Sequence, residues 1–444
     1  MQTVWELISP LSAVMLMLAI VTATVIASFS NRYMEGDQQK TSFYKKLILL
    51  LPCVSIMLCT DHLWWLLIAY ICSDYLLIKM MEHKQQWIAS QAASKLISRY
   101  FICALLAMGT SFFLLFISAQ STSIRFITQN THLNQIDHLA LGLLCLGVCI
   151  KSALFPFHKW LLSSLNSPTP VSALMHAGII NFGGFLLALF APLLLQTPLL
   201  LKGMFTIGAL SALLATLWKL MQNNIKGFLA CSTVAQMGFM VMQCGLGLFP
   251  AAIAHLCWHG FFKAHLFLSS SAAAVQRKTQ QQVPQRYKTS ILIPALFCGL
   301  LSAYTFALAS AKTLSCLDTN IFPVGIALIA GTHLSLSLLK NNPFKRLPLT
   351  IILSSLAGAI YGLHVLVIEL ILAPMELMQP QPLATVHLAV FTLFFISSLA
   401  ILLLPQNARQ RHKSRWLVNG YLTLYNMAQP SSTTVTAHRN DYQF

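Results

Sequence analysis

Between Leu7 and Leu404 the chain is a succession of predominantly apolar runs. They lie near 7–29, 43–60, 62–81, 98–119, 139–162, 170–195, 201–221, 225–247, 250–275, 290–312, 321–340, 348–373 and 384–404. A helix needs about 20 such residues to cross the hydrocarbon of a bilayer. On that rule the chain folds as an all-α, polytopic membrane helix bundle of about 13 transmembrane helices. The turn at Asp61-His62 leaves one alternative open, a re-entrant pair in place of two spans.

Composition agrees. Of 444 residues 57% are hydrophobic and 9% are charged, against about 25% charged in a soluble domain. So few charges cannot cover a globular surface, and the partner this composition implies is the lipid bilayer. Net charge is +17, from 28 Lys+Arg against 11 Asp+Glu. In a soluble protein that excess would suggest nucleic acid. Here the basic residues sit in short loops, there is no basic stripe with interleaved aromatics, and nucleic acid is excluded as a partner.

The loops alternate in charge. One side collects Arg32, Lys40, Lys45 and Lys46, then Lys84, Lys95 and Arg99, then Arg277, Lys278, Arg286 and Lys288. It continues with Lys340, Lys345 and Arg346, and ends on Arg409, Arg411, Lys413 and Arg415; the other side holds little beyond Arg125, Lys202 and Lys312. The bias predicts a multi-pass protein of the cell (inner) membrane with its N-terminus outside and C-terminus cytoplasmic. The first run follows Glu6 and no basic segment, so it reads as a span and not as a cleaved signal. Residues 1–405 form the transmembrane bundle, and 406–444, polar, basic and Ser/Thr-rich, a cytoplasmic tail.

Eleven cysteines are dispersed, nearly all in apolar runs and never as C-x-x-C, so they read as small buried hydrophobes. No nucleotide-binding glycine loop, metal-ligand set or haem-type histidine pairing is present. An autonomous membrane enzyme is therefore the less supported class, and catalytic residues are expected to be absent.

The unusual feature is charge at membrane depth. Lys151 lies inside LALGLLCLGVCIKSALFPFHKW and Lys263 inside AAIAHLCWHGFFKAHLFLSS. A lysine at mid-bilayer costs about 3 kcal/mol unless it faces a partner, the bundle interior or water. Lys151 is too central in its run to reach the interface easily by extending its stem. His255, His259 and Lys263 recur at i, i+4 and i+8, which lines them along one helical face. Paired histidines at that spacing can chelate zinc, but no Glu follows His255 and an ammonium would compete with the cation. A row of His, His and Lys suits a proton relay better, because histidine titrates near neutrality and a desolvated lysine can follow. The alternative is satisfied hydrogen bonding between helices.

Pro156, five residues past Lys151 and two before His158, breaks or bends its helix. Discontinuous helices at membrane depth are where transporters place ion sites. In SPTPVSALMHAGIINFGG, Pro168 and Pro170 mark the mouth of the next helix and His176 sits one turn inside. Gly183-Gly184 there reads first as close helix packing. The helix NNIKGFLACSTVAQMGFMVMQCGLG carries Lys226 near its basic-side end, either an anchor or a relay member, with Thr233 and Gln236 as supporting polar residues.

KSALFPFHKWLLSSLNSPTPVSALMHA resembles the central signature of the proton-translocating antiporter-like subunits of complex I and Mrp-type antiporters. Within that superfamily, HAGIINFGGF and STVAQMGFMVMQCGLGLFPAAIAHLCWHGFFKAHLFLSS are more similar to the DabB-type membrane subunit of DAB inorganic-carbon accumulation systems. The strong likeness covers about residues 139–275, which it marks as the ion-translocating core. The resemblance implies an antiporter-like subunit fold with a proline-broken helix, and proton translocation through Lys151, His158, His176, Lys226, His255, His259 and Lys263. It also implies a large peripheral zinc-containing partner akin to β-carbonic anhydrases (DabA-like), in which CO2 hydration to bicarbonate is coupled to the proton gradient. No cofactor is then expected in this chain, the zinc belonging to the partner. The alternative is a proton or Na+/H+ translocating subunit of complex I or an Mrp-type antiporter. Two departures from complex I subunits stand out. Ile71 occupies the place of a helix-borne glutamate, with Asp74 one turn later as its candidate stand-in. No lysine in 290–340 matches the second broken helix, Lys312 reading as too close to the outer surface.

Overall fold

The computed structural model describes residues 8–83, 87–130, 132–270, 289–312, 318–340, 343–403 and 415–434. Among them the chain is helical throughout, with three isolated β-bridges and no strand. Ten helices among the described residues are long and apolar enough to cross a membrane, so the protein is a multi-pass membrane protein. Three further segments of the expected thirteen are helical but fall short of that measure. They are Gln135–Lys151, which stops at 17 residues, Phe249–Leu268, which carries three histidines and a lysine, and Thr385–Leu403.

The chain divides into two compact units. The first comprises Met1–Gly245, His255–Arg277 and Trp416–Phe444. Its helices are α1 (Pro10–Tyr33), α2 (Lys40–Cys59), α3 (Leu63–Met81), α4 (Ile88–Ala119), α5 (Gln135–Lys151), α6 (Thr169–Ala177), α7 (Phe182–Leu189), α8 (Pro198–Leu220) and α9 (Ile225–Gly245). The larger part of α10 (Phe249–Leu268) also belongs here. The turn at Asp61-His62 joins two separate helices, both of spanning length. Asp61 caps the neighbouring loop through Ser123 Oγ at 2.6 Å and the Arg125 N–H at 2.8 Å.

The α6–α7 span is buried over 94% of its length, where α1 to α4 are buried over 33–44%. A helix apolar on every side and covered on every side is a core helix, so α6–α7 is the axis of this unit. Around it, glycines set how closely helices approach. A Cβ on Gly238 would stand 2.7 Å from the Gly208 carbonyl oxygen and from the Ala212 nitrogen, so α8 and α9 touch backbone to backbone.

Two helices break. Asn134 and Asp137 form a capping box that starts α5. Pro156 cannot continue it, and the helix ends at Lys151, with Ala153 in the left-handed region (φ 54°). The freed backbone groups are recovered locally: Trp160 Nε1 donates to the Ile150 carbonyl at 2.9 Å, and the Phe155 N–H to Ser211 Oγ at 3.1 Å. Pro168 and Pro170 open α6, where the missing N–H costs nothing. The second break, Gly178 and the 3-10 turn Ile179–Asn181 between α6 and α7, was not expected from the sequence.

The expected polar tail holds an amphipathic helix, α15 (Arg415–Met427), whose end docks on the first break. His158 Nε2 donates to the Met427 carbonyl at 3.0 Å, Asn166 Nδ2 to Thr434 at 2.8 Å, and Gln222 Nε2 to Ala428 at 3.0 Å. Residues 404–414 and 435–444 of that tail, and the basic loop 271–288, lie outside the described residues, as does Lys84.

The second unit comprises Leu246–Ala254 and Lys278–Arg415, with α11 (Thr289–Ala309), α12 (Ile321–Leu339), α13 (Pro343–Leu372) and α14 (Thr385–Leu403). Gly358 lets α13 close on the Ser302 carbonyl of α11, and Gly331 of α12 meets Ser302 from the other side. Lys312, just past the end of α11, has its side chain 3% exposed and bound to Glu369 Oε1 of α13 at 2.7 Å. Ala311, at φ 51°, turns the chain back so that the lysine folds against α13.

Candidate functional site

Lys151, the last residue of α5, meets Asp74 of α3. The ammonium binds Asp74 Oδ1, with both side chains no more than 5% exposed. The Phe101 ring lies 3.7 Å from Nζ, and the Tyr70 ring 5.7 Å. Aromatic faces add to the attraction on a desolvated cation. Tyr70 and Asp74 are one helical turn apart, and Tyr70 OH donates to the Phe182 carbonyl at the head of α7 at 2.9 Å. One face of α3 thus touches both broken helices.

The second group gathers on α6, α9 and α10. Thr233 Oγ1 donates to the Leu229 carbonyl at 3.0 Å, and its single proton is committed there. His176 Nδ1, 3.1 Å from the same hydroxyl, is therefore the donor. His259 Nε2 donates to the His176 carbonyl at 3.2 Å, and Lys263 Nζ to the Leu229 carbonyl at 3.0 Å. Lys263 is completely buried and has no carboxylate partner among the described residues. His255 stacks on His259 with ring centroids 6.1 Å apart, its Nε2 buried and unpartnered among the described residues. The shared face of His255, His259 and Lys263 is thus directed at α6 and α9.

Between the groups lie two polar side chains that the sequence reading passed over. Ser152 follows Lys151, and its Oγ is pressed against Gly183, where any Cβ would collide with it. Asn181 donates to the Ala177 carbonyl at 2.7 Å beside Gly260 of the His259 helix. Asp74 Oδ2, Ser152 Oγ and Asn181 Oδ1 are buried without hydrogen-bond partners among the described residues. Buried polar atoms of this kind are where interiors hold ordered water.

The remaining expected residues separate from this core. Lys226 Nζ donates to the Leu165 and Ser167 carbonyls at 3.2 and 2.8 Å, at the mouth of α6. It shares a face of α9 with Leu229 and Thr233, at i, i+3 and i+7. His158 turns away at the first break, stacks on Trp218 at 4.2 Å and holds the C-terminal segment. Gln236 is half-buried and makes no side-chain hydrogen bond among the described residues. No three His, Cys, Asp or Glu side chains come together to hold a metal among the described residues.

Residues 60–311 match the family described as NADH:quinone oxidoreductase/Mrp antiporter, TM, and residues 5–44 match NADH-ubiquinone oxidoreductase (complex I), chain 5 N-terminus. The chain is 32% identical over 312 residues to a protein of Hydrogenovibrio crunogenus named "Probable inorganic carbon transporter subunit DabB", covering 67% of this chain and 60% of that one. It is 32% identical over 310 residues to "Probable inorganic carbon transporter subunit DabB1" of Halothiobacillus neapolitanus, covering 66% and 56%. NADH-ubiquinone oxidoreductase chain 5 of Metridium senile is 36% identical over 274 residues, covering 59% and 44%. The chain thus matches less than two thirds of the length of these relatives. In fold it superposes on a chain of the Mrp complex from Dietzia sp. DQ12-45-1b with a TM-score of 0.59 at 18% identity, over 95% of this chain and 48% of that one. Broken helices, a lysine at membrane depth and a family match over residues 60–311 coincide, and the chain belongs to the NADH:quinone oxidoreductase/Mrp antiporter transmembrane family.

Proposed function

We propose that this chain is the proton-conducting membrane subunit of a two-component inorganic-carbon accumulation complex. Protons pass down their gradient through it, and a large peripheral zinc-containing subunit akin to β-carbonic anhydrases hydrates CO2 to bicarbonate. The reaction belongs to the partner, and this chain supplies the coupling. The observation that carries the reading is the convergence of His176, Thr233, His259 and Lys263 from three helices beside a break at membrane depth. The names of the relatives from Hydrogenovibrio and Halothiobacillus support the carbon-accumulating assignment over others in the family.

Lys151 is the central carrier, with Asp74 as its counter-charge in place of the family glutamate. A proton leaving Lys151 reaches the second group by way of the Ser152 and Asn181 region. There His176 accepts it, held in place by the Thr233 hydroxyl, and His259 with Lys263 takes it onward. Lys226 stands at the mouth on the side of the basic loops, which we assign to the cytoplasm, with the N-terminus outside.

A second reading, a subunit of complex I or an Mrp-type antiporter, shares the family match and the likeness to chain 5. Purification of the tagged full chain from its native membrane separates them. A zinc-containing carbonic-anhydrase-like subunit in about equal amount supports the first. Quinone oxidoreductase or antiporter subunits in its place would establish the second. Expression with that partner in a host lacking carbonic anhydrase should restore growth in air, and a protonophore should abolish the restored bicarbonate uptake.

A further inference from the structure

A cavity of about 660 Å³ opens in the first unit, and it joins the loop after α1, the end of α3, the start of α4 and the mouth of α6. Asp37 and His83, Ser167 and Lys226, and Glu35 line it. At about 30 Å³ per molecule such a space holds on the order of 20 waters. Its volume sets it apart from the dry apolar crevice between α1, α2 and α6, at about 30 Å³.

The Asp37–His83 pair in its wall is built, not incidental. Gly36, at φ 81°, makes the turn that presents Asp37, and the geometry excludes side chains that dislike the left-handed region. Asp37 Oδ1 accepts the Gln39 N–H at 2.7 Å, which leaves Oδ2 for His83 Nε2 at 2.8 Å. The imidazole is 4% exposed, while the carboxylate reaches the open cavity at 32%. A carboxylate behind an imidazole fixes its orientation. Across the same cavity stands Lys226, the first ionisable residue on the face of α9 that leads through Leu229 to Thr233 and His176.

We infer that Asp37 and His83 form the proton-collecting pair of this vestibule, which loads protons from the bulk on the basic-loop side and hands them through its water to Lys226. This rests on the proton-conducting reading above. The ligand is the proton itself, and the same mouth would deliver it in the opposite direction when the gradient reverses.

The test uses the full chain with its co-purified partner subunits in liposomes, with proton flux read by an entrapped pH dye. His83→Gln keeps an amide donor toward Asp37 and so preserves the fold, but it does not titrate. Its flux should fall about a hundredfold, the low side of what a positioned proton-transfer group contributes. His83→Ala should fall as far and recover with millimolar imidazole added on the vestibule side only, a rescue that a merely structural histidine would not show. Wild-type flux in His83→Gln, beside normal wild-type flux and an inactive Lys151→Met, would overturn the pair and leave the conduction reading intact. No flux in the wild type would instead overturn the conduction reading.

Discussion

Lys263 Nζ and Thr233 Oγ1 donate to one acceptor, the carbonyl oxygen of Leu229, each at 3.0 Å. That oxygen lies in a helix and already takes part in the ladder of α9, so it ties a buried ammonium and a hydroxyl to one point of the backbone. The hydroxyl in turn receives His176 Nδ1. The two cations-to-be are therefore separated by one threonine, and the order of donors along them is set by the single proton that Thr233 can give.

Thr233→Val tests this order. Valine keeps the branched shape but leaves the His176 N–H without an acceptor, which costs about 1–3 kcal/mol in a buried site. We expect a lowered melting temperature in detergent and loss of most proton flux, whereas Thr233→Ser retains both. Full flux in the valine variant would show that the path does not depend on Thr233.

Lys151 and Asp74 behave as a pair. Removing one partner strands a charge in the membrane interior and destabilises by about 3–5 kcal/mol. Lys151→Met and Asp74→Asn should each lower thermal stability, and the Lys151→Met/Asp74→Leu double variant should regain it, since an apolar pair of similar volume is well tolerated there. None of the three should conduct. Lys151→Arg should fold and still fail, because a guanidinium holds its proton at every accessible pH. An active arginine variant would show that charge alone suffices at this position.

Much of this was legible in the chain before its structure. Apolar runs of spanning length cannot hide, and neither can a lysine inside one, because lipid leaves no other place for either. The i, i+4, i+8 row of His255, His259 and Lys263 was readable for the same reason, since helical spacing fixes which side chains share a face. Pro156 announced the first break. The second break gave no such sign, because Gly178 is as common in a packed helix as in a broken one. Asn181 in HAGIINFGGF carried the signal, an amide inside an apolar run, but its role depends on Gly260 of a distant helix. His158, which the resemblance put among the translocating residues, comes after a break where the helical period no longer holds, and it bonds the C-terminal segment.

Backbone contact between α8 and α9 sets the position of Leu229 and Thr233. Gly238→Ala puts a methyl 2.7 Å from two backbone atoms of α8, and overpacking of this sort costs about 1–3 kcal/mol. Gly203, on the same α8, has nothing within 4 Å of a built Cβ. Gly203→Ala should therefore be neutral or stabilising, by up to about 1 kcal/mol from helix propensity. The two melting temperatures, measured side by side, separate packing from propensity. Equal effects would mean that α8 and α9 do not hold each other at this distance.

The division of labour with a partner makes a prediction about metal in this chain. A catalytic zinc takes about three protein ligands and second-shell groups that orient them. His255 and His259 are the pair best spaced to begin such a site, and their surroundings oppose it. His259 Nε2 carries its proton toward the His176 carbonyl, so it would have to surrender that bond to ligate. Lys263 follows on the same face and would bring an ammonium within reach of the cation. Carboxylates are few, 11 in the whole chain, and Asp74 is committed to Lys151. We therefore expect the chain purified alone to contain no stoichiometric zinc by elemental analysis, and zinc to appear only when the larger subunit co-purifies. About one zinc per chain in the isolated subunit, lost in a His255→Ala/His259→Ala double variant, would move the carbon chemistry into this protein.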